Sequence, residues 1–250
     1  MTEEAGWLEV GGTRLAWRRR RGAGPTALWL GGYRSEMNGT KAEALAAWAE
    51  QGGRDFLRFD YFGHGQSEGD FEAGSITRWR ADALAVIDAL TEGPLVLVGS
   101  SMGGWIACLA AMARPERAGA LALVAPAADF TERLMRPRLP PDALEAIAAD
   151  GVWRRPSPYD PAGDPVTRLL LEDGARWSIL PGPVPIEAPT RILQGGQDPD
   201  VPWRHALELA NTLKASDVVF TLIRDGDHRL SRAQDLARLA AVVEEAASLI

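Results

Sequence analysis

The sequence predicts an α/β domain in which a mostly parallel, twisted sheet is flanked by helices. The chain has 250 residues, of which 46% are hydrophobic, and this is enough for one domain with a sizeable core. Short apolar runs alternate with stretches of helical periodicity along most of its length. This alternation is typical of parallel strands joined by helical crossovers, which cover both faces of the sheet.

The strands are predicted from short apolar runs that turn residues separate. The first two form a hairpin through the turn at Gly11-Gly12, and the others are spaced widely enough for helical crossovers. The predicted strands are Trp7–Val10, Thr13–Arg19, Thr26–Leu30, Asp55–Phe59, Leu95–Val98, Ala118–Val124, Thr190–Leu193 and Asp217–Ile223.

The helices are predicted from apolar residues at helical spacing and from polar residues that can cap the first turn. Thr40 is expected to cap a helix over Lys41–Glu50, and Ser75 a helix that ends at Leu90. A third helix follows Leu95–Val98, and two more are expected near the carboxyl terminus. These last two are Trp203–Leu213 and Arg232–Leu249.

A proline-rich segment between Ala118–Val124 and Thr190–Leu193 breaks the alternation of strands and helices. It covers about residues 127–188 and contains two short helical patterns, over Asp142–Ala149 and Val166–Ile179. We interpret it as a small lid inserted over the strand ends of a single domain, 1–250, because it is too short for a core of its own. Its prolines include Pro137, Pro140, Pro141, Pro156, Pro158, Pro161, Pro165, Pro181, Pro183 and Pro185.

The stretch that indicates chemistry is Leu95–Leu109, a buried strand followed by a sharp turn and a helix. Its turn, GSSMG from Gly99 to Gly103, fits the pattern G-x-S-x-G of a nucleophile elbow, with Ser101 at the tip. Glycine is needed two residues before and after the serine, because a Cβ there would clash in so tight a turn. The turn also places the Met102 amide at a helix amino terminus, where it can stabilise developing negative charge.

The net charge, and the motifs and long apolar runs that the sequence lacks, argue against several other classes of function. The net charge of −7 and the isoelectric point of about 5.1 argue against nucleic acid as a general partner. The sequence has neither a dinucleotide fingerprint nor a cluster of metal ligands, so no cofactor and no metal are expected. No apolar run reaches the roughly 18 to 20 residues that span a bilayer, so no integral membrane segment is expected. Cys108 is the single cysteine and is expected in the core. The amino terminus is acidic and lacks the apolar core of a signal peptide, which predicts a cytoplasmic protein.

A serine nucleophile needs a base, and the chain offers three histidines. An elbow serine is followed along the chain by an acid and then by a histidine, each on a loop at the carboxyl end of a strand. Only His228, after the last strand, fits that order. His64 lies in a tight Gly-His-Gly turn and is expected to be structural, and His205 is expected to be an exposed helix residue.

The base requires a carboxylate that holds it in the correct tautomer. Asp198 follows the strand Thr190–Leu193 and lies in the loop where the acid is expected. Asp129, which follows the preceding strand, is the reserve candidate. Asp227 adjoins the histidine, but neighbours in sequence seldom reach the far ring nitrogen. The predicted catalytic residues are therefore Ser101, Asp198 and His228.

Several motifs together resemble the α/β-hydrolase superfamily and, more closely, the mitochondrial acyl-protein thioesterases (depalmitoylases), which are also acyl-glucuronide esterases. The resemblance covers most of the chain, from about Leu28 to Arg229. It implies the same catalytic residues and assigns the oxyanion-binding amides to Tyr33 and Met102. The motifs are Gly31-Gly32-Tyr33, Met37–Ala42, Asp60–Ser67, Gly99–Trp105, Gly151-Val152-Trp153, Asp198 with Val201-Pro202, and Asp227-His228-Arg229.

The sequence therefore predicts a serine hydrolase that acts on small-molecule or protein-bound acyl esters or thioesters. Trp105 and Trp153 are expected to line an apolar acyl pocket, and Arg34 is placed where it could meet an anionic leaving group. A perhydrolase or a carbon–carbon hydrolase remains an alternative, as does a binding module without catalysis on the same fold.

Overall fold

The central feature of the computed structural model, which describes residues 3–156 and 163–250, is an eight-stranded sheet. The strand order is β1-β2-β4-β3-β5-β6-β9-β10, with β1 and β2 antiparallel to their neighbours and the other strands parallel. The strands are β1 (Glu4–Val10), β2 (Thr13–Arg20), β3 (Ala23–Leu30), β4 (Arg54–Phe59), β5 (Leu95–Ser100), β6 (Ala118–Val124), β9 (Thr190–Gly195) and β10 (Val218–Ile223).

The predicted mostly parallel sheet is confirmed, and its strands differ from prediction mainly at their ends. The hairpin turns at Gly11-Gly12, where Val10 pairs with Thr13. Strand β3 begins at Ala23, three residues earlier than predicted, because its first residue pairs with β4 before an irregularity in register. The central strand β5 is buried along its whole length, as expected of a parallel strand with both faces covered.

Helices cover both faces of this sheet and form two apolar cores. One core lies between the sheet and helices α1 and α7, and the other between the sheet and helices α2, α3 and α6. These helices are α1 (Thr40–Gly52), α2 (Ile76–Leu90), α3 (Met102–Ala113), α6 (Trp203–Thr212) and α7 (Ala233–Ala247).

Two predicted helix caps have different outcomes. The Ser75 hydroxyl accepts a hydrogen bond from the Arg78 amide at 3.3 Å, so this cap is confirmed. Thr40 is not a cap, because α1 starts at Thr40 itself and Gly39 occupies the cap position without a side-chain bond. Glycine is tolerated there at a cost of only a few tenths of a kcal/mol relative to a polar cap.

The inserted segment, residues 127–188, contains more strand than the sequence predicts. Helix α4 (Pro141–Asp150) lies where expected and is followed by an antiparallel pair, β7 (Val152–Arg155) and β8 (Asp164–Thr167). The predicted helix over Val166–Ile179 is wrong at its start, because α5 spans Arg168–Arg176. The hydroxyl of Thr167 accepts from the Leu170 amide and fixes that start. Pro158 and Pro161 lie outside the described residues.

Buried aspartates fix the inserted segment internally and attach it to the body of the domain. Within the segment, Asp129 accepts hydrogen bonds from the amides of Ile179 and Leu180 at 2.9 and 2.8 Å. Asp173 of α5 accepts from both the amide and the hydroxyl of Thr77 in α2, each at 2.7 Å. Charge-assisted bonds of this kind are stronger than neutral ones, so they fix the position of the segment over the sheet.

Candidate active site

Ser101 lies at a strained turn between β5 and α3. Its φ of 54° and ψ of −120° lie outside the regions that a residue with a side chain prefers. A Cβ on Gly99 would approach the Gly103 carbonyl oxygen to 2.4 Å, and a Cβ on Gly103 would approach the Leu30 carbonyl oxygen to 2.0 Å. Both glycines are therefore sterically required, as the motif predicts.

The structure brings Ser101, His228 and Asp198 into one hydrogen-bonded chain. The Ser101 hydroxyl donates to Nε2 of His228 at 3.1 Å, and Nδ1–H of the same ring donates to Oδ2 of Asp198 at 2.8 Å. The imidazole is thereby held in the tautomer that leaves Nε2 free to accept the serine proton. Within hydrogen-bonding distance of both neighbours, the ring can act as a general base.

Asp198 is fully buried, and other donors orient its carboxylate toward the histidine. Its Oδ1 accepts from the amides of Asp200 and Val201 at 2.9 and 2.8 Å. Its Oδ2 accepts from the Gln194 side chain at 3.1 Å, and this amide also donates to the Val201 carbonyl oxygen at 3.0 Å. Gln194 was not predicted as a site residue. A polar side chain near the end of an otherwise apolar strand was the signal that could have indicated it.

The loops that carry Asp198 and His228 interlock through their backbones. The Gln197 amide donates to the Gly226 carbonyl oxygen at 2.8 Å. A Cβ on Gly195 would lie 2.5 Å from the Asp227 carbonyl oxygen, so only glycine allows this close approach. Because β9 and β10 are parallel neighbours, their carboxyl ends bring the two loops together at the same edge.

The two predicted oxyanion residues lie beside the serine. Met102 begins α3, so its amide has no carbonyl four residues earlier in the helix to bond. Tyr33 follows Gly32, at which a Cβ would contact Cβ of Ser101 at 3.4 Å. Both Tyr33 and Met102 line the same cavity as Ser101 and His228. Their amides as oxyanion donors remain a prediction, which this placement supports.

A cavity of about 310 Å³ opens above the serine, beneath the inserted segment. Its walls are mainly apolar, as is usual for small-molecule sites. Three charged residues, Arg138, Arg155 and Asp200, also line it, and all three are exposed. The apolar lining residues are Ala127, Phe130, Leu134, Met135, Leu139, Trp153, Val166 and Val201.

Of the three predicted substrate contacts, Trp105 is wrong, and Arg34 lies outside the cavity above the serine. Trp153 lines the cavity as expected, but Trp105 is fully buried and packs edge-on against Phe130 with centroids 5.8 Å apart. It therefore supports the cavity wall and does not form it, because α3 turns this side chain into the core. Arg34 lines a neighbouring cavity and pairs with Asp164 at 2.9 Å, and its contact with an anionic leaving group stays a prediction.

The residues not chosen for catalysis have structural partners. The His64 ring donates to the Phe62 carbonyl oxygen and accepts from the Arg34 amide, and burial lowers its pKa to about 4. His205 is buried, contrary to expectation, and its Nε2–H donates to the Ala128 carbonyl oxygen at 2.8 Å. Asp129 accepts from two amides of the inserted segment, and this arrangement argues against it as the acid. Cys108 is buried, and burial raises the pKa of its thiol to about 12.

The site also contains three groups that could approach a cation. Among the described residues, Asp198, Asp200 and His228 each offer a ligand atom within 4.8 Å of the others. The carboxylate of Asp198 and the Nδ1 of His228 bind each other, so this set is accounted for by the serine–histidine–aspartate chain.

In the part of the chain that the structure describes, no helix is long and apolar enough to cross a bilayer.

Comparison with known proteins assigns this chain to a family. The family model described as serine aminopeptidase S33 matches residues 31–154. The cattle protein named "Palmitoyl-protein thioesterase ABHD10, mitochondrial" is 37% identical over 234 residues, which cover 92% of this chain and 76% of the relative. The human protein of the same name is 36% identical with the same coverage of each chain. This chain belongs to the ABHD10 family of α/β hydrolases.

Solved structures agree with that membership. The mouse ABHD10 structure superposes with a TM-score of 0.88 at 34% identity and covers 97% of each chain. A putative hydrolase from Agrobacterium vitis superposes with a TM-score of 0.91 at 42% identity and covers 98% of each chain. The predicted α/β-hydrolase fold is thereby confirmed, and the chain is an enzyme of the hydrolase class. The names of the ABHD10 relatives place those proteins in mitochondria, whereas a cytoplasmic location for this chain stays a prediction.

Proposed function

We propose that this ABHD10-family hydrolase cleaves acyl thioesters and carboxylic esters through Ser101, His228 and Asp198. The observation that carries this proposal is the continuous hydrogen-bonded chain from the Ser101 hydroxyl to the Asp198 carboxylate, at the floor of an apolar cavity. A serine at neutral pH is a poor nucleophile without such a base.

The positions of these groups support the following reaction. His228 removes the Ser101 proton as the hydroxyl oxygen attacks the acyl carbon. The Tyr33 and Met102 amides stabilise the oxyanion of the tetrahedral intermediate, and His228 then protonates the departing thiolate or alkoxide. Water attacks the acyl-enzyme in the same way and releases the carboxylic acid.

The cavity supports an acyl chain of more than two carbons as the substrate group. Its volume of about 310 Å³ lies at the lower end of the range for small-molecule sites, and its walls are mainly apolar. Each methylene that moves from water into such walls contributes about 0.8 kcal/mol. The names of the ABHD10 relatives specify palmitoyl-protein substrates for those enzymes. For this chain we propose short and medium acyl groups as the best substrates.

A series of p-nitrophenyl esters and matched acyl thioesters, from acetyl to palmitoyl, tests this proposal. We expect kcat/KM to rise by up to about fourfold per methylene over the short and medium members, since 0.8 kcal/mol corresponds to that ratio. A preference for acetyl over every longer chain would contradict the apolar acyl pocket. Failure to hydrolyse any member would contradict the esterase and thioesterase function itself.

A further inference from the structure

Lys41 occupies a position that is unfavourable for a cation. Only two of the 27 lysines and arginines in the sequence are lysines, Lys41 and Lys214. Lys41 is the second residue of α1, where the positive end of the helix dipole disfavours a positive charge. Among the residues that the structure describes, Lys41 forms no ion pair with a carboxylate. The position within the helix therefore does not favour a lysine here.

The ammonium group of Lys41 contacts the loop that carries the catalytic histidine. Its Nζ donates to the carbonyl oxygen of Arg229 at 2.6 Å, across 188 residues of sequence. Arg229 directly follows His228, so the bond fixes the peptide next to the base. Within the same loop, the Leu230 amide donates to the Asp227 carboxylate at 2.9 Å, and Leu230 has a positive φ of 44°.

The contacts of this loop come from different sides. Asp198 and Ser101 form hydrogen bonds with the imidazole ring of His228. The loop that carries Asp198 forms a backbone hydrogen bond with Gly226. Lys41 holds the carbonyl on the carboxyl side of the histidine, from the first turn of α1. It is part of Met37–Ala42, one of the motifs that carry the family resemblance and that the serine–histidine–aspartate chain leaves unexplained.

We infer that Lys41 is a positioning residue for catalysis, whose ammonium holds the His228 loop in the geometry that base catalysis requires. This inference rests on the proposed function. The lysine touches no reacting atom, and it acts through the backbone carbonyl of Arg229. A charge-assisted hydrogen bond suits this task because it is about twice as strong as a neutral one.

The surroundings of Lys41 also make its charge sensitive to alkaline pH. Burial, and next the Arg229 guanidinium, lower the pKa of Lys41 to about 8, while Asp227 and Asp198 act in the opposite sense. Glu36 lines the small cavity of about 230 Å³ beside it. As pH rises above about 8, the ammonium becomes an amine, and its bond to Arg229 loses the charge-assisted part.

Lys41→Met tests the inference, because methionine keeps an unbranched chain but has no donor. Lys214→Met is the matched control, since Lys214 is exposed and is the other lysine. The probe is a fluorophosphonate that labels Ser101, and the labelling rate is compared with hydrolysis of one p-nitrophenyl ester. At pH 7 we expect Lys41→Met to lower the labelling rate and kcat by about tenfold or more, as for loss of one hydrogen bond to a charged group. KM and the melting temperature should stay near those of Lys214→Met.

The ratio of the wild-type labelling rate to that of Lys41→Met supplies the second measurement. Between pH 7 and 9.5 the ratio should fall toward one, while the ratio of wild type to Lys214→Met stays constant. Equal rates for the two variants at pH 7, a ratio that does not change with pH, or a loss that matches the unfolded fraction would each overturn the inference. Absence of Ser101 labelling in the wild type would instead overturn the proposed function.

Discussion

At the scale of single residues, the site depends on a difference between two buried aspartates that follow neighbouring strands. The sequence places both Asp129 and Asp198 at strand ends, and it can rank them only by loop order. The structure separates them by their partners. Asp129 binds two backbone amides of the inserted segment, whereas Asp198 has one carboxylate oxygen directed at the His228 ring. Hydrogen bonds over long sequence distances make this difference, so the sequence alone could not show it.

Asp198→Asn is expected to lower kcat by about 10⁴-fold while the fold stays intact. In serine proteases the equivalent change holds the histidine in the wrong tautomer, and the same geometry is present here. Steady-state kinetics and circular dichroism of this variant, beside Asp129→Asn, provide the measurement. Near-normal activity in Asp198→Asn, with a 10⁴-fold loss in Asp129→Asn, would assign the acid to the earlier strand.

His64 predicts a pH dependence of stability. Burial lowers its pKa from 6.5 to about 4, so between these values the unfolded chain binds a proton that the native state does not. Its contribution to the free energy of unfolding is therefore full above about pH 6.5 and is lost as pH falls toward 4, by at most about 3 kcal/mol. Asp82, whose pKa burial raises to about 6, has the opposite dependence in this range.

Urea unfolding of wild type and His64→Gln between pH 4.5 and 7.5 isolates this contribution, because Asp82 is common to both proteins. We expect the free energy of unfolding of the wild type to fall relative to that of the variant as the solution becomes acidic. A difference between the two proteins that is independent of pH would show that His64 titrates normally in the native state.

At the scale of elements, the hairpin of β7 and β8 brings the Trp153 side chain to the cavity. Sequence periodicity does not predict a strand at this residue. Each strand has four residues and includes arginine or proline, so neither shows a clear apolar pattern. Strands this short form because the partner strand and the cavity wall bury one face. Trp153 was predicted at the cavity from the apolar residues of the inserted segment, without its place on a strand.

Trp153→Ala should flatten the increase of kcat/KM with acyl length. The indole forms one wall of the cavity, and its removal leaves the longer chains partly in water. The rate with acetyl ester should change little. Leu169→Ala is the matched control, since this exposed side chain of α5 lies outside the cavity. An unchanged dependence on chain length in Trp153→Ala would place the acyl chain elsewhere.

At the scale of the whole molecule, the central sheet was predictable and the inserted segment was not. The strands β5, β6 and β9 are short apolar runs between helical patterns, and burial on both faces of a parallel sheet gives such runs a clear signal. The helices and strands of residues 127–188 are short and depend on tertiary bonds such as that from Asp173 to Thr77. A helix boundary there was consequently misplaced.

The same limit applies to the site. Ser101, Asp198 and His228 were predictable because chain order and strand position restrict them strongly. The role of Trp105 was mispredicted and the position of Arg34 was not foreseen, because the direction of a side chain from a helix or a turn depends on packing. Trp105 points into the core beneath Phe130, and Arg34 turns toward Asp164.

Labelling with a fluorophosphonate, followed by peptide mass spectrometry, identifies the nucleophilic serine. We expect the wild-type enzyme to carry the label on Ser101 alone. Ser101→Ala should be neither labelled nor active, while its circular dichroism and melting temperature match those of the wild type. Labelling of a different serine in the wild type, or hydrolysis by Ser101→Ala at the wild-type rate, would contradict the assignment of the nucleophile.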